Sequence, residues 1–259
     1  MRALIDGDIL RYEVGFAAEV GWKAATERDE PPPFDFVKDL LHQRIQYIMT
    51  QTNADDATIY LTEGPTFRFD IAKTKPYKGN RVENKPWHHV NLTAYMKTML
   101  GLQVVTKIEA DDAMAIEHIA SDGTTIICSR DKDLKQVPGW FYSWELGRQP
   151  SFGPELITKE GSLHLSTDRK KLSGTGLSFF YAQVLMGDRV DNIPGLGGWG
   201  PVRVFDYLSD TKDPDELLTL VKDAYNDDEF LLEQGQLCWI VRRTNEDGSP
   251  QVWSIGLNE

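Results

Sequence analysis

The sequence predicts an α/β fold: a central, mostly parallel sheet flanked by helices, followed by a helical region at the carboxyl end. Three observations predict it. Short apolar runs of strand length alternate with longer segments of helical period from residue 2 to about residue 130. Those runs end on, or just before, acidic residues. Beyond about residue 172 mainly helical patterns remain.

The elements follow in order. Arg2–Asp6 reads as a short buried strand ending on a carboxylate, and Asp8, a potential cap, opens a helical segment. Pro31-Pro32-Pro33 breaks the chain, and Asp35 is placed to cap a helix with apolar face Val37, Leu40, Leu41, Ile45 and Ile48. Ala57–Thr62 is a second strand, ending at Glu63. A basic stretch follows, then a helix marked by Leu92, Tyr95, Met96 and Met99. Leu102–Thr106 is a third strand leading to Glu109-Ala110-Asp111-Asp112, with a helix after it. Thr124–Cys128 is a fourth, leading to Ser129-Arg130-Asp131-Lys132-Asp133. Helices are then expected over Leu177–Met186, Val202–Leu208, Glu216–Tyr225 and Phe230–Val241, with a last β-like stretch at Gln251–Ile255. The polar stretch Thr167–Gly176 is the expected seam, separating an α/β domain over 1–172 from a helical region over 173–259.

The chain has 259 residues, enough for one sizeable core or two small domains. No apolar run approaches the roughly 20 residues of a bilayer span, and the amino-terminal residues do not read as a signal peptide, so a cytoplasmic protein is expected. The two cysteines, Cys128 and Cys238, sit far apart among apolar residues and are expected as buried free thiols. A structural zinc is not expected without a Cys/His cluster. The net charge of −12 argues against a polyanionic partner, but its distribution weakens that argument. Residues 206–233 hold ten acids against Lys212 and Lys222, as a solvated helical face would. Residues 68–85 carry Arg68, Lys73, Lys75, Lys78, Arg81 and Lys85 against only Asp70 and Glu83.

In parallel α/β sheets ligands bind outside the carboxyl ends of the strands. Successive strand ends deliver Asp6, Glu63, Glu109, Asp111, Asp112, Asp131 and Asp133 there, and the later run Gly187–Gly200 adds Asp188 and Asp191. Any one of these acids taken alone is more often a cap or a surface charge; the ordered array is what points to a shared task. Ionised carboxylates crowded together need cations, because like charges raise each other's pKa. An oxygen-only ligand set suits Mg²⁺ or Mn²⁺, and two such ions serve phosphodiester hydrolysis. Lys78 and Arg81, three apart, would share a face of a helical turn and hold a phosphate, with Tyr77 stacking on a base. The competing reading is an exposed basic loop. Trp87, His88 and His89 read as surface or interface residues. Gly187, Gly195, Gly197, Gly198 and Gly200 suggest backbone approached closely by a phosphate.

These residues resemble the 5′-nuclease or flap-endonuclease superfamily, with its PIN-like fold. The resemblance rests on Ile5-Asp6-Gly7, Tyr77-Lys78-Gly79-Asn80-Arg81, Glu109-Ala110-Asp111-Asp112, Ser129 through Leu134, and Gly187 through Gly200, in the family's order over some 200 residues. Asp6-Gly7-Asp8, the Glu63-to-Arg68 spacing, Gly198-Trp199-Gly200 and Gln234-Gly235-Gln236 look closest to the 5′–3′ exonucleases of tailed bacteriophages. The resemblance implies a two-metal 5′–3′ exonuclease on duplex DNA, extending to flap endonuclease and RNase H activity, with a role in DNA replication and, for a phage-encoded chain, in the host cytoplasm. It implies that Asp6, Glu63, Glu109 and Asp111 serve one metal, that Asp131, Asp133, Asp188 and Asp191 serve the other, and that Asp112 lies near both. Lys78 and Arg81 would contact phosphate at the base of a helical arch over about 68–100. Gly195–Gly200 would lie in a helix–three-turn–helix element that grips duplex backbone, often with K⁺, and Arg203 would add a phosphate contact there. A monomer working with replication or recombination proteins is implied.

The chain departs from the family's pattern in having Glu63 where Asp is usual and Pro201-Val202-Arg203-Val204 where many relatives carry a Lys-Thr-Ala run. Only about 27 residues separate Arg81 from Glu109, which implies a small or open arch. Two competing functions are a catalytically weak DNA-binding module, which loss of several acids would mark, and a PIN-type ribonuclease, which would lack the Gly187–Gly200 element.

Overall fold

A computed structural model describes residues 1–82 and 84–257. The chain forms two compact units, each drawn from separate stretches. The first comprises 1–64, 82–131 and 140–155; the second comprises 65–81, 132–139 and 156–259. The division therefore does not follow a single cut near residue 172.

The first unit is built on a six-stranded sheet. In chain order its elements are β1 (Arg2–Asp6), α1 (Gly7–Thr26), α2 (Phe34–Thr52), β2 (Asp56–Thr66), α4 (His89–Met96), β3 (Leu102–Lys107), α5 (Ala110–Ala120), β4 (Thr125–Cys128), β5 (Gly139–Ser143) and β6 (Phe152–Ile157); α3 (Phe67–Ile71) falls in the second unit. The sheet order is β3-β2-β1-β4-β5-β6, and the pairs β2–β1, β1–β4 and β4–β5 are all parallel. The α/β class with a mostly parallel sheet is thus observed. β1 and β4 read as continuous apolar runs because they lie inside the sheet and are buried. β3, at the edge, is largely exposed. Ile5, Ile59, Ile126 and Cys128 pack with Leu10, Val14, Val37, Leu41 and Ile48 of α1 and α2 in one core.

β1 passes into α1 without a loop. Gly7 permits this, since a Cβ there would meet the Tyr60 carbonyl at 2.5 Å. Asp6 caps α1, accepting from the Ile9 amide at 3.0 Å. The cap is therefore Asp6 and not Asp8, which lies inside the first turn. Asp35 is likewise no cap: Pro33 holds that position, and Asp35 pairs with Lys38 at 2.6 Å.

The second unit is organised around α6 (Gly176–Met186), whose turns are almost wholly buried. It packs against α7 (Pro201–Leu208), α8 (Pro214–Tyr225), α9 (Asp228–Cys238), the 3₁₀ turn Asp133–Gln136 and the antiparallel hairpin of β7 (Ser162–Leu165) and β8 (Leu172–Thr175). An all-round apolar helix is what a unit centre demands. Asp213 caps α8, so that helix begins at Pro214, ahead of the expected Glu216. Gln251–Ile255 forms no strand. It is held by Trp253, whose buried ring lies over Gly235 so closely that a Cβ there would meet it at 2.1 Å. Gln236 donates to the Trp253 carbonyl at 3.2 Å. Arg68 of α3 is 1% exposed and donates to the carbonyls of Leu237 and Trp239 at the end of α9. The hairpin strands are only four residues each and Gly153, Pro154 and Glu155 interrupt β6, so these do not stand out in the sequence; β5 does carry an aromatic run, Trp140-Phe141-Tyr142.

Cys128 and Cys238 are buried free thiols. Among the described residues, no helix is long and apolar enough to cross a membrane.

His118, on α5, is 4% exposed and shares a 2.7 Å hydrogen bond with Thr125 Oγ1. Burial pulls its imidazole pKa from 6.5 down to about 4. The unfolded chain then takes up a proton near pH 6.5 while the folded chain resists until about pH 4, so stability falls as pH drops through that window. The shift corresponds to about 3 kcal/mol. In urea titrations, wild-type stability should drop between pH 7 and pH 4, and His118→Gln should lessen that pH dependence.

Candidate metal and phosphate site

In the first unit the strand ends are tied together by polar contacts. Asp6 ends β1, is 2% exposed, and accepts from Ser129 Oγ at 2.6 Å; the same Oγ accepts from the Asp131 amide at 2.9 Å. The serine after β4 thus links the β1 carboxylate to the backbone of the Asp131 loop. On β2, the Thr62 amide donates to Asp8 at 3.2 Å, and Thr62 Oγ1 accepts from the Ala110 amide at 2.8 Å, fixing the start of α5. Arg11 pairs with Asp8 at 2.9 Å. Burial, reinforced by the neighbouring Asp8 charge, raises the Asp6 carboxyl to about 6. Burial also raises Asp8, with Arg11 opposing and Glu109 adding to the rise. In both, burial is the leading cause and a neighbouring acid adds to it.

The other expected ligands of this unit have structural partners. Glu109 and Asp112 form a reciprocal capping box on α5, in which Asp112 accepts from the Glu109 amide at 3.0 Å. Asp112 is fully buried and Asp111 half-buried. Glu63 is exposed and pairs with Lys97 at 2.7 Å. Its longer arm reaches solvent and a lysine, away from the strand-end contacts made by Asp6 and Ser129.

In the second unit Asp133, Asp188 and Asp191 are met by two cations, Lys132 and Arg81, and by amide and hydroxyl donors. Lys132 Nζ lies 2.7 Å from Asp133 Oδ1 and 2.5 Å from Asp188 Oδ2. Gln183, a lone amide in the apolar α6, donates to Asp133, and its Oε1 accepts from Gln136 at 2.6 Å. Asp188 and Asp191 share one turn: the Asp188 and Ile193 backbones exchange hydrogen bonds of 2.9 and 2.7 Å. Asp188 Oδ1 accepts from the Val190 amide at 2.7 Å, as an Asx turn does. Burial alone would raise the Asp188 carboxyl, but the Lys132 ammonium and the Val190 amide hold it below the usual carboxylate range. Burial opposes the Lys132 charge as well, yet Asp133 and Asp188 keep its pKa above normal.

The segment after α3 docks on this turn. The Lys78 amide donates to the Asp191 carbonyl at 2.9 Å, and Asn80 to the Arg189 carbonyl at 2.7 Å. Arg81 pairs with Asp191 Oδ1 at 2.5 Å, and Tyr77 OH donates to Asp191 Oδ2 at 3.0 Å. Lys78 has φ 55°, so the Tyr77–Asn80 turn is not helical, and Lys78 and Arg81 do not share a helical face. Tyr77 is 4% exposed with its ring edge-on to Phe69, so it fixes Asp191 and is not available to stack on a base. Trp87 is 71% exposed, whereas His88 and His89 are half-buried against Phe34 and Tyr12.

The glycines divide into two kinds. Gly187 (φ 71°) ends α6, and Gly195 (φ 59°) packs backbone to backbone against it. A Cβ on Gly195 would meet the Gly187 nitrogen at 2.2 Å, and one on Gly187 the Ile193 oxygen at 2.3 Å. The Gly195 amide donates to Gln234 Oε1 at 3.1 Å. Gly195 therefore closes the loop and is not a phosphate contact. Gly197, Gly198 and Gly200 face open space. Arg203, exposed on α7, lies over the Trp199 ring at 4.0 Å.

Among the described residues, no three acidic, histidine or cysteine side chains stand together as a ready-made metal cage. Protein donors already take many of the carboxylate oxygens. The donor chemistry nevertheless fits a hard divalent cation: an ammonium stands between Asp133 and Asp188, where a cation is held by two carboxylates. Ser129, Thr62, Lys132 and Gln183 went unassigned in the sequence reading. Of these, only Gln183 carried a signal, as a polar side chain inside an apolar helix.

No family model matches the chain. The zinc-bound 5′-exonuclease of bacteriophage T5 superposes with a TM-score of 0.60 at 17% identity, over 92% of this chain and 89% of that one. The chain shares the fold of that 5′-exonuclease. A bacteriophage T5 flap endonuclease, solved with DNA and metal ions, also gives a TM-score of 0.60, at 16% identity over 92% of this chain and 88% of that one. In sequence, the chain is 28% identical over 182 residues to the DNA polymerase I of Pseudomonas aeruginosa. That match takes in 65% of this chain and 18% of the polymerase.

The two kinds of glycine should separate on substitution. Gly195→Ala places a methyl in the Gly187 backbone at positive φ and should cost at least about 2 kcal/mol in urea unfolding. Gly197→Ala should change stability by less than about 0.5 kcal/mol.

Proposed function

We propose that the protein is a divalent-metal-dependent 5′–3′ exonuclease on double-stranded DNA. The observation that carries this reading is the second unit's pairing of two groups in one place. Asp188 and Asp133 form a carboxylate pair around a cation, and three residues further on Asp191 is gripped by Arg81 next to Lys78. A cation-binding pair beside phosphate-binding side chains is the equipment that phosphodiester hydrolysis requires. The 5′-nuclease fold and the names of the proteins that share it support the same reading.

Asp133, Asp188 and Asp191 would hold one cation and Asp6, Glu109, Asp111 and Asp112 another, with Glu63 the weakest member because of its bond to Lys97; Asp131, expected with the first group, joins the second in this reading because Ser129 ties its backbone to Asp6. Bound Mg²⁺ or Mn²⁺ supplies an activated water and charge stabilisation for the leaving 3′ oxygen. Arg81 and Lys78 bind non-bridging phosphate oxygens and oppose the charge that develops on them. Tyr77 and the Asp188–Ile193 backbone pair keep Asp191 and Arg81 in register. Gly197, Gly198, Gly200 and Arg203 bind duplex backbone, with K⁺ as a candidate companion, and position DNA without reading its sequence. Flaps and RNA–DNA hybrids are further substrates of this reading.

The test is Mg²⁺-dependent nucleotide release from a 5′-labelled duplex. Asp188→Asn and Asp131→Asn should each lower the rate at least ~10²-fold while duplex affinity stays within a few-fold. Arg81→Ala should lower kcat more than it raises KM. Unchanged rates in both carboxylate variants would sink the mechanism.

A further inference from the structure

Asp188 is 7% exposed and fixed by the Val190 amide, and Asp133 is 19% exposed and fixed by Gln183. Lys132, whose ammonium joins them, is 53% exposed. The two carboxylates are held by protein donors, whereas the ammonium reaches them on an exposed side chain. Two carboxylates that share one ammonium, one of them buried, stay ionised together only with a positive charge beside them, whether or not a metal is present. Arg81 is engaged with Asp191, so the charge that bridges Asp133 and Asp188 is the ammonium.

We infer that Lys132 is a built-in counter-ion that occupies the cation seat of Asp133 and Asp188 until a divalent ion displaces it. This rests on the metal-dependent reading of the site given above. Metal affinity is then a difference: the ion's interaction with the pair less the ammonium's. The lysine keeps the metal-free protein folded and lowers its affinity for the ion. Once displaced, the ammonium stays within a side chain's length of the pair, where a phosphate oxygen is the natural acceptor.

Removing the charge separates this role from a merely structural one. Mn²⁺ binding to the full chain without DNA, followed by the electron paramagnetic resonance of the free ion, gives the total bound, and the part of it lost in Asp188→Asn is the share of this seat. Lys132→Met removes the competitor and should bind Mn²⁺ about tenfold more tightly or better, since tenfold corresponds to only about 1.4 kcal/mol of lost competition. Lys132→Arg keeps the charge and should stay within about threefold of wild type. In EDTA, Lys132→Met should melt below wild type, and Mn²⁺ should raise its melting temperature by more. Lys132→Gln serves as the second neutral variant if Lys132→Met fails to fold. Neutral variants with native circular dichroism and unchanged or weaker Mn²⁺ affinity overturn the inference. Asp188→Asn distinguishes the two failures. If it loses the ion while Lys132→Met matches wild type, only the lysine's role is wrong. If it binds Mn²⁺ as wild type does, the pair is no cation seat and the inference falls; if its Mg²⁺-dependent nuclease rate is also unchanged, the metal role of Asp188 in the reading above falls with it.

Discussion

Repulsion between ionised carboxylates is the constraint around which both units are arranged. Parallel strands leave their carboxyl ends open, and this chain puts acids there. Each acid must be matched by a donor or a cation, or shift its pKa until it is neutral. The first unit uses hydroxyls and amides, Ser129 on Asp6, Thr62 on Asp8 and the Glu109 amide on Asp112, together with the Arg11 charge on Asp8. Hydrogen bonds without a full counter-charge leave Asp6 raised. The second unit uses whole charges, Lys132 on Asp133 and Asp188 and Arg81 on Asp191, and Asp188 is lowered. The same constraint thus has opposite electrostatic outcomes at Asp6 and Asp188.

The loop carrying Asp188 and Asp191 depends on a contact with no side chain in it. Gly187 and Gly195 touch through backbone alone, and Gln234 fixes Gly195 from α9. That contact closes the turn in which Asp188 binds the Val190 amide. Asp191 then receives Tyr77, Arg81 and the Lys78 amide, so the basic segment takes its position from the glycine contact. The Gln234-Gly235-Gln236 run has a related use. Gln234 holds the loop, Gly235 makes room for Trp253, and Gln236 binds the Trp253 carbonyl.

Much of the fold was legible because its signals are local. β1 and β4 are apolar runs buried within the sheet, and α6 is apolar all round, so composition within a short window identifies them. β6 is interrupted by Gly153, Pro154 and Glu155 and β7 and β8 are only four residues each, whereas β5 carries a local signal, the aromatic run Trp140-Phe141-Tyr142, that the expected elements leave out. The candidate site was legible as a set of residue types at strand ends. Its partners were not, because Ser129, Thr62 and Lys132 are ordinary polar residues until folding brings them to a carboxylate. Tyr77 and Gly195 illustrate the opposite error. Their types suit nucleic acid, but burial against Phe69 and against Gly187 gives them structural work.

The sequence by itself determined the α/β class, the helical character of the later chain, the buried thiols and the identity of the acids at the strand ends. These follow from periodicity and order along the chain, which need no knowledge of distant neighbours. Only the tertiary structure decided which donor meets which acid: that Asp6 caps α1 while Asp8 takes Arg11, that Glu63 goes to Lys97, and that Lys132 stands between Asp133 and Asp188. The reason is physical. Hydrogen bonds and ion pairs act over about 3 Å, and residues far apart in the chain reach that distance only after the core has packed.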